Sequence, residues 1–186
     1  MGKFALLLLD LQAGGLNALA DSNKLLERIT VARHRTKDLG GSTYFVRVGF
    51  TDRELDAIPD TNKVFSGVRN ARGLLEDTTS SQLDPRVVPG ADEPIIKKTR
   101  VSAFSTTDLH ERLQAQGVQT IVLAGVSTSG VVLSTVRDAV DRDYRIVVLS
   151  DCCADPNIAV HEAIVSLILP KHTEVITADK LESGIL

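Results

Sequence analysis

Six consecutive apolar residues, Phe4 to Leu9, end abruptly at Asp10. A strand with one face in water alternates apolar and polar side chains. This run does not, so it reads as a strand covered on both faces. Such a strand needs helices on either side of its sheet, and the rest of the chain supplies them in alternation. Asp21 or Ser22 can cap a helix running to about Leu39, with Leu25, Leu26, Ile29 and Ala32 on its inner face and Gly40–Gly41 as its stop. Further strand patterns lie at Ser42–Val48, Pro94–Lys97, Val118–Ala124, Arg145–Leu149 and Thr173–Ile176. Helix patterns lie at Ser105–Gln116, Thr128–Arg142 and Asn157–Leu169. This β-α order predicts an α/β fold with a mostly parallel six-stranded sheet and helices on both faces. The long gap Gly49–Pro94 holds Pro59, Pro85, Pro89 and Pro94 and few regular signals. A gap of that length is expected to be a lid or binding loop with short helical pieces.

The 186 residues read as one domain, 1–186, ample for a sizeable core. A formal net charge of −3 gives no electrostatic case for nucleic acid as a partner. Phe4–Leu9 is too short for a signal-peptide core or a membrane span, so a cytoplasmic protein with no membrane partner is expected. Cys152 and Cys153 are adjacent, a strained geometry for pairing, which points to a reducing compartment. The histidines His34, His110, His161 and His172 are scattered. With no zinc, P-loop or GxGxxG spacing present, neither a metal nor a cofactor is expected.

In parallel α/β sheets the ligand site lies beyond the carboxyl ends of the strands. Asp10, Lys98, Gly125–Thr128 and Asp151–Cys153 all fall there. Asp10 reads either as a partly buried carboxylate for general acid or base work, or as a helix-cap or loop aspartate. Lys98 can hold Asp10 ionised, orient it or bind an oxyanion; it can equally be a solvated strand end. Arg47 and Arg100, also at strand ends, can hold a substrate carboxylate or form ordinary surface ion pairs. The turn Val126–Ser127–Thr128 can offer N–H donors to an oxyanion or serve as a plain helix cap. Cys152 and Cys153 follow the fifth strand and read as small buried residues rather than nucleophiles.

Three segments, LLLLDLQ (Leu6–Gln12), KTRVSAF (Lys98–Phe104) and GVSTSGVVLSTVRDA (Gly125–Ala139), with a weaker DCCAD at Asp151–Asp155, are similar in order and spacing to the isochorismatase-like hydrolase superfamily. The likeness runs over nearly the whole chain. It implies a Rossmann-like three-layer α/β/α sandwich around a central parallel sheet. It also implies a catalytic trio of Asp, Lys and usually Cys, whose Asp falls on Asp10, Lys on Lys98 and Cys on Val131. The superfamily commonly has a non-proline cis peptide at the position of Val126–Ser127, aiming the amides of Ser127 and Val131 at an oxyanion. Gln12, Arg47, Arg100, Phe104 and Val126 are the expected substrate contacts. No metal is implied, because the loop Gly49–Arg72 contains no His. A small-molecule substrate and a homodimer or higher homo-oligomer are expected.

Valine at 131 cannot act as a nucleophile. The main expectation is therefore thiol-independent hydrolysis of a small anionic vinyl ether such as isochorismate, giving pyruvate and a dihydroxy acid. Asp10 would be the general acid and Lys98 its partner, with Val131 narrowing the pocket where true isochorismatases place Gly. Two alternatives stand beside it: an amide or ester hydrolase using Asp10-activated water, and a catalytically degenerate binding protein on the same fold.

Overall fold

The computed structural model describes residues 2–185. Six strands, β1 (Lys3–Leu9), β2 (Ser42–Val48), β3 (Ile95–Lys98), β4 (Val118–Val126), β5 (Arg145–Ala154) and β6 (Glu174–Ile176), form one all-parallel sheet in the order β3-β2-β1-β4-β5-β6. The chain builds outward from β1 to one edge, then returns beside β1 as β4 and builds the other half. At that reversal the connections leave in opposite directions, and a crevice opens beyond the ends of β1 and β4.

The apolar run of β1 is divided between two cores. Phe4, Leu6 and Leu8 enter one, and Ala5, Leu7 and Leu9 the other, as the two-residue period of a strand requires. The first core is closed by α2 (Ser22–Asp38) through Leu25, Leu26, Ile29 and Ala32, and by α8 (Leu181–Ile185) through Leu181 and Ile185. The second is closed by α5 (Leu109–Ala115) and α6 (Leu133–Val140) through Leu109, Leu113, Val136 and Ala139. Each such side chain contributes about 1.5–3 kcal/mol on full burial, except the smaller alanines. Asp21 caps α2 by accepting from Lys24 N at 3.1 Å, and Arg35 and Lys37 face the negative end of the helix dipole.

Strands β1 and β4 approach closely at Gly125, which has φ 148°. A Cβ there would lie 2.1 Å from Leu9 O, so no other residue fits without moving one of the central strands.

Several boundaries differ from the sequence expectation. The helix expected from Ser105 begins only at Leu109. Thr107 Oγ1, which donates to Ala103 O at 2.8 Å, accepts from Leu109 N at 3.4 Å and so supports the later start, and the Asp108 carboxylate pairs with Arg112 at 2.9 Å. Strand β5 continues past Leu149 to Ala154, because Gly125 and Val126 pair with Cys153 and Ala154 beyond a register shift. The two cysteines are therefore inside the strand rather than after it. The stretch 128–142 opens with a π turn, Thr128–Val132, before α6. Helix α7 (Ile158–Ala163) loosens into a π turn at Ile164–Ile168 and a 3-10 turn at Leu169–Lys171, where Pro170 lacks the N–H that would continue it.

After Asp10 comes a single turn of helix, α1 (Ala13–Leu16). The long region 49–94 contains α3 (Asp52–Asp56), α4 (Phe65–Asn70) and a 3-10 turn at Thr79–Ser81. It has a small core of its own around Phe50, Leu55, Ile58 and Phe65, with the two phenylalanine rings edge to face at 5.7 Å. Among the described residues no helix is long and apolar enough to cross a membrane.

Candidate active site

Asp10 leaves β1 at φ 51°, a left-handed conformation that aspartate tolerates better than most residues. Its N–H donates to Val46 O at 2.8 Å and its O accepts from Gln12 N at 2.7 Å, so the chain turns tightly at the strand's carboxyl end. Lys98 ends β3, two strands away, a separation of about 10 Å at ordinary strand spacing. Its side chain, 1% exposed, spans the end of the intervening β2. Nζ donates to Asp10 Oδ2 at 2.8 Å and to Arg100 O at 3.1 Å.

The other carboxylate oxygen, Asp10 Oδ1, is buried and has no hydrogen-bond partner within ordinary distance among the described residues. Burial pushes the Asp10 carboxyl above its ordinary value, against the opposing pull of the Lys98 charge, the Lys98 hydrogen bond and the nearby Val48 backbone. A buried acceptor normally has a partner. One left open on a charged group is poised to meet a proton from a bound molecule.

The segment that carries Lys98 is clamped onto α6. Ser102 Oγ donates to Asp138 Oδ2 at 2.7 Å, Ala103 N donates to Thr135 Oγ1 at 3.0 Å, and Phe104 N donates to Ser102 Oγ at 3.2 Å. Arg142 Nε holds the second Asp138 oxygen at 2.7 Å.

At the end of β4 the Val126–Ser127 peptide is cis, as the resemblance implies. Ser127 Oγ accepts from Gly130 N at 3.2 Å and so caps the π turn. A second tie comes from the end of β5. Asp155 accepts from Ser129 N at 2.9 Å, Ser129 Oγ at 2.6 Å and Asn157 N at 3.1 Å. Burial alone would raise the Asp155 carboxyl; these hydrogen bonds, with His161 nearby, outweigh it and hold the group below its ordinary value. His161 Nδ1 lies 2.8 Å from the hydroxyl of the buried Thr128. Sequence reading missed this brace, although an Asp two residues before an Asn at a helix start is a capping signal.

Between these elements lies a cleft of about 320 Å³, at the small end for a ligand site. Asp10, Gln12, Val126 and Ser127 line it from the sheet, and Leu74 and Ser80 from the long region. Gly14, Gly15 and Ala18 line it in and beside α1, and Val48 and Pro156 complete the wall. Two larger surface depressions of about 490 Å³ lie over ion pairs, Arg33 with Glu93 and Arg28 with Asp151, and neither contains an unpartnered buried polar atom among the described residues.

The structure brings Asp10, Lys98, Gln12, Val126 and Ser127 together, but not the rest of the expected set. Gln12 lines the cleft with its amide already engaged: Nε2 donates to Val48 O at 2.8 Å and Ser81 O at 2.5 Å, and Oε1 accepts from Val48 N at 2.9 Å. It ties β2 to the 79–81 turn. Arg47 lines a separate depression with Leu83, Pro85 and Ile95, where Nη1 donates to Ser81 O at 3.3 Å. The chain turns after Lys98, so the Arg100 guanidinium stacks over the Phe65 ring at 5.8 Å, against the small core of the long region. Phe104 is a core residue, stacked on Tyr144 at 5.8 Å. Val131 is 3% exposed and packs in the same core; the cleft wall is formed by Val126, Ser127 and Pro156. Val131 is not among the residues that line the cleft.

Cys152 and Cys153 are buried and line no part of the cleft. Burial pushes the Cys153 thiol up to about 12, and burial with the neighbouring Asp151 carboxylate raises the Cys152 thiol as well. Among the described residues no cluster of three or more His, Cys, Asp or Glu is placed to hold a metal ion.

Comparison with known proteins places this geometry in a family. Maleamate amidohydrolase of Pseudomonas putida is 41% identical over 106 residues, 57% of this chain and 50% of that protein. The "Probable inactive nicotinamidase" of Arabidopsis thaliana is 38% identical over 92 residues, 48% of this chain and 47% of that one. The match thus spans about half the length of these curated relatives. The crystal structure of an isochorismatase family protein from Desulfovibrio vulgaris superposes with a TM-score of 0.86, over 100% of this chain and 99% of that one, at 19% identity; it shares the fold. The model of the isochorismatase domain matches residues 4–180, so the chain belongs to the isochorismatase domain family.

Proposed function

We propose that this chain hydrolyses a small amide or ester, with Asp10 managing the proton and water, rather than a thiolate, attacking the carbonyl. The observation that carries this reading is the Asp10 carboxylate. One oxygen is fixed by Lys98, and the other is buried and unpartnered at a cleft on the topological switch point. The expected nucleophile position holds Val131, and the two cysteines are buried with raised thiols. The name of the maleamate relative supports an amide substrate.

In this mechanism Asp10 Oδ1 takes a proton from a water molecule as its oxygen attacks the carbonyl carbon. The Ser127 N–H pairs with the oxyanion that forms. Asp10 then returns the proton to the departing nitrogen, the C–N bond breaks, and a carboxylic acid and ammonia or an amine leave. Positioned proton transfer of this kind contributes about 10²–10⁴ in rate, and one oxyanion donor about 10²–10³. Lys98 stabilises the ionised form of Asp10 and fixes its orientation.

A second reading is favoured by one specific observation. Burial raises the Asp10 carboxyl, which favours a protonated acid able to donate to the carbon of a vinyl ether. A panel of small amides, maleamate and nicotinamide among them, assayed for ammonia beside isochorismate assayed for pyruvate, separates the two. Ammonia release that disappears in Asp10→Asn supports amide hydrolysis. Pyruvate release without ammonia transfers the assignment to the vinyl ether, and no product from either contradicts both.

A further inference from the structure

Resting on the hydrolase reading, the geometry points to the class of molecule the cleft takes: an uncharged small amide or ester, not a carboxylate anion. Among the described residues, Asp10 itself is the only formally charged side chain lining the cleft. Lys98, the cation paired with Asp10, is 1% exposed, and its Nζ is occupied by Asp10 Oδ2 and Arg100 O. A ligand meets it only through the Asp10 carboxylate.

Five cations of the neighbouring region have partners outside the cleft. Arg47 belongs to the separate depression, and Arg100 stacks on Phe65. Arg69 pairs with Asp60, Arg72 with Asp52 and Asp56, and Lys97 with Glu54 and Glu76. The remaining wall is apolar, at Ala18, Val48, Leu74, Val126 and Pro156, or carries neutral groups, the hydroxyls of Ser80 and Ser127 and the already engaged amide of Gln12. A carboxylate entering this space sheds its water, gains no cation and approaches a like charge. An uncharged amide gives up less hydration, and its carbonyl and NH₂ match the hydroxyls and the open Asp10 oxygen.

The test uses two molecules of nearly equal size, maleamide, the neutral diamide, and maleamate, its monoanion. Each is titrated into the protein at pH 7.5 while the backbone amide resonances of Gly14, Gly15 and Ser127 are followed, and ammonia release is measured in parallel. Maleamide is expected to bind at these residues at least about tenfold more tightly than maleamate. In Ala18→Arg, which places a cation at an exposed position of the wall, the preference is expected to shrink toward parity. Equal affinity, tighter binding of maleamate, or binding of neither at these residues overturns the inference. Absence of ammonia from a bound diamide counts against the hydrolase reading alone and leaves the ligand class standing.

Discussion

Lys98 Nζ donates to Asp10 Oδ2 at 2.8 Å although the strands that end in these two residues are separated by β2. Lys98 is buried and Asp10 partly so, with side-chain exposures of 1% and 16%. Its partners are fixed from opposite directions, Asp10 by its tight turn and Lys98 by the clamp of Ser102 and Ala103 on α6.

Breaking this pair from the cation side has a pH signature. Lys98→Met leaves Asp10 buried without its counter-charge, which raises the carboxyl further. A carboxyl raised above its unfolded value binds its proton more tightly in the folded state, so folding is favoured below the unfolded pKa and loses that advantage as pH rises through the folded pKa. Lys98→Met is therefore expected to cost about 3 kcal/mol or more at pH 8 and clearly less at pH 5. Urea denaturation at the two pH values measures the difference.

The direction of the pH-rate profile separates the two chemical roles of Asp10. A general base must be ionised, so kcat/KM for an amide is expected to rise with pH through the raised Asp10 pKa. Lys98→Met is expected to move that rising limb to higher pH. A profile that falls with pH would assign Asp10 the role of an acid.

Gln12 is expected to matter for folding more than for ligand contact. Truncation to Ala strips partners from Val48 N, Val48 O and Ser81 O. With three buried backbone groups affected, a loss of about 3 kcal/mol is expected. Chemical denaturation checks this, and a large rise in KM at unchanged stability would speak for direct substrate contact instead.

Gly125→Ala is expected to destabilise the fold severely, by about 3 kcal/mol or more. The new Cβ would sit 2.1 Å from Leu9 O, at a φ that L side chains rarely adopt. Thermal or chemical unfolding of the variant measures the effect, and a near-normal midpoint would show that β1 and β4 can separate at this point.

The central strands and α2 were legible because their signal is local periodicity: an unbroken apolar run for β1, and Leu25, Leu26, Ile29 and Ala32 at helical spacing. The meeting of Asp10 and Lys98 was legible because parallel topology sends both strand ends to one side of the sheet. Arg47 and Arg100 do not line the cleft, because position at a strand end does not fix where a side chain points once the chain has turned; Phe104, expected from the resemblance alone, does not line it either. Arg100 follows that turn to Phe65, and Phe104 follows the Ser102 anchor into the core. The late start of α5 was hidden because Ser105, Thr107 and Asp108 can each open a helix, and the choice among them falls to Thr107, whose hydroxyl accepts from Leu109 N. Leu74 and Ser80 carried no sequence signal, because tertiary packing around Phe50 and Phe65 sets their place.

The most direct measurement is ammonia release from a small amide by the wild-type protein, by Cys152→Ser/Cys153→Ser and by Asp10→Asn, each shown to be folded. Release is expected to persist in the double cysteine variant and to fall at least about 10²-fold in Asp10→Asn. Loss of activity with the cysteines, or its survival in Asp10→Asn, would contradict a hydrolase that works through Asp10 and water.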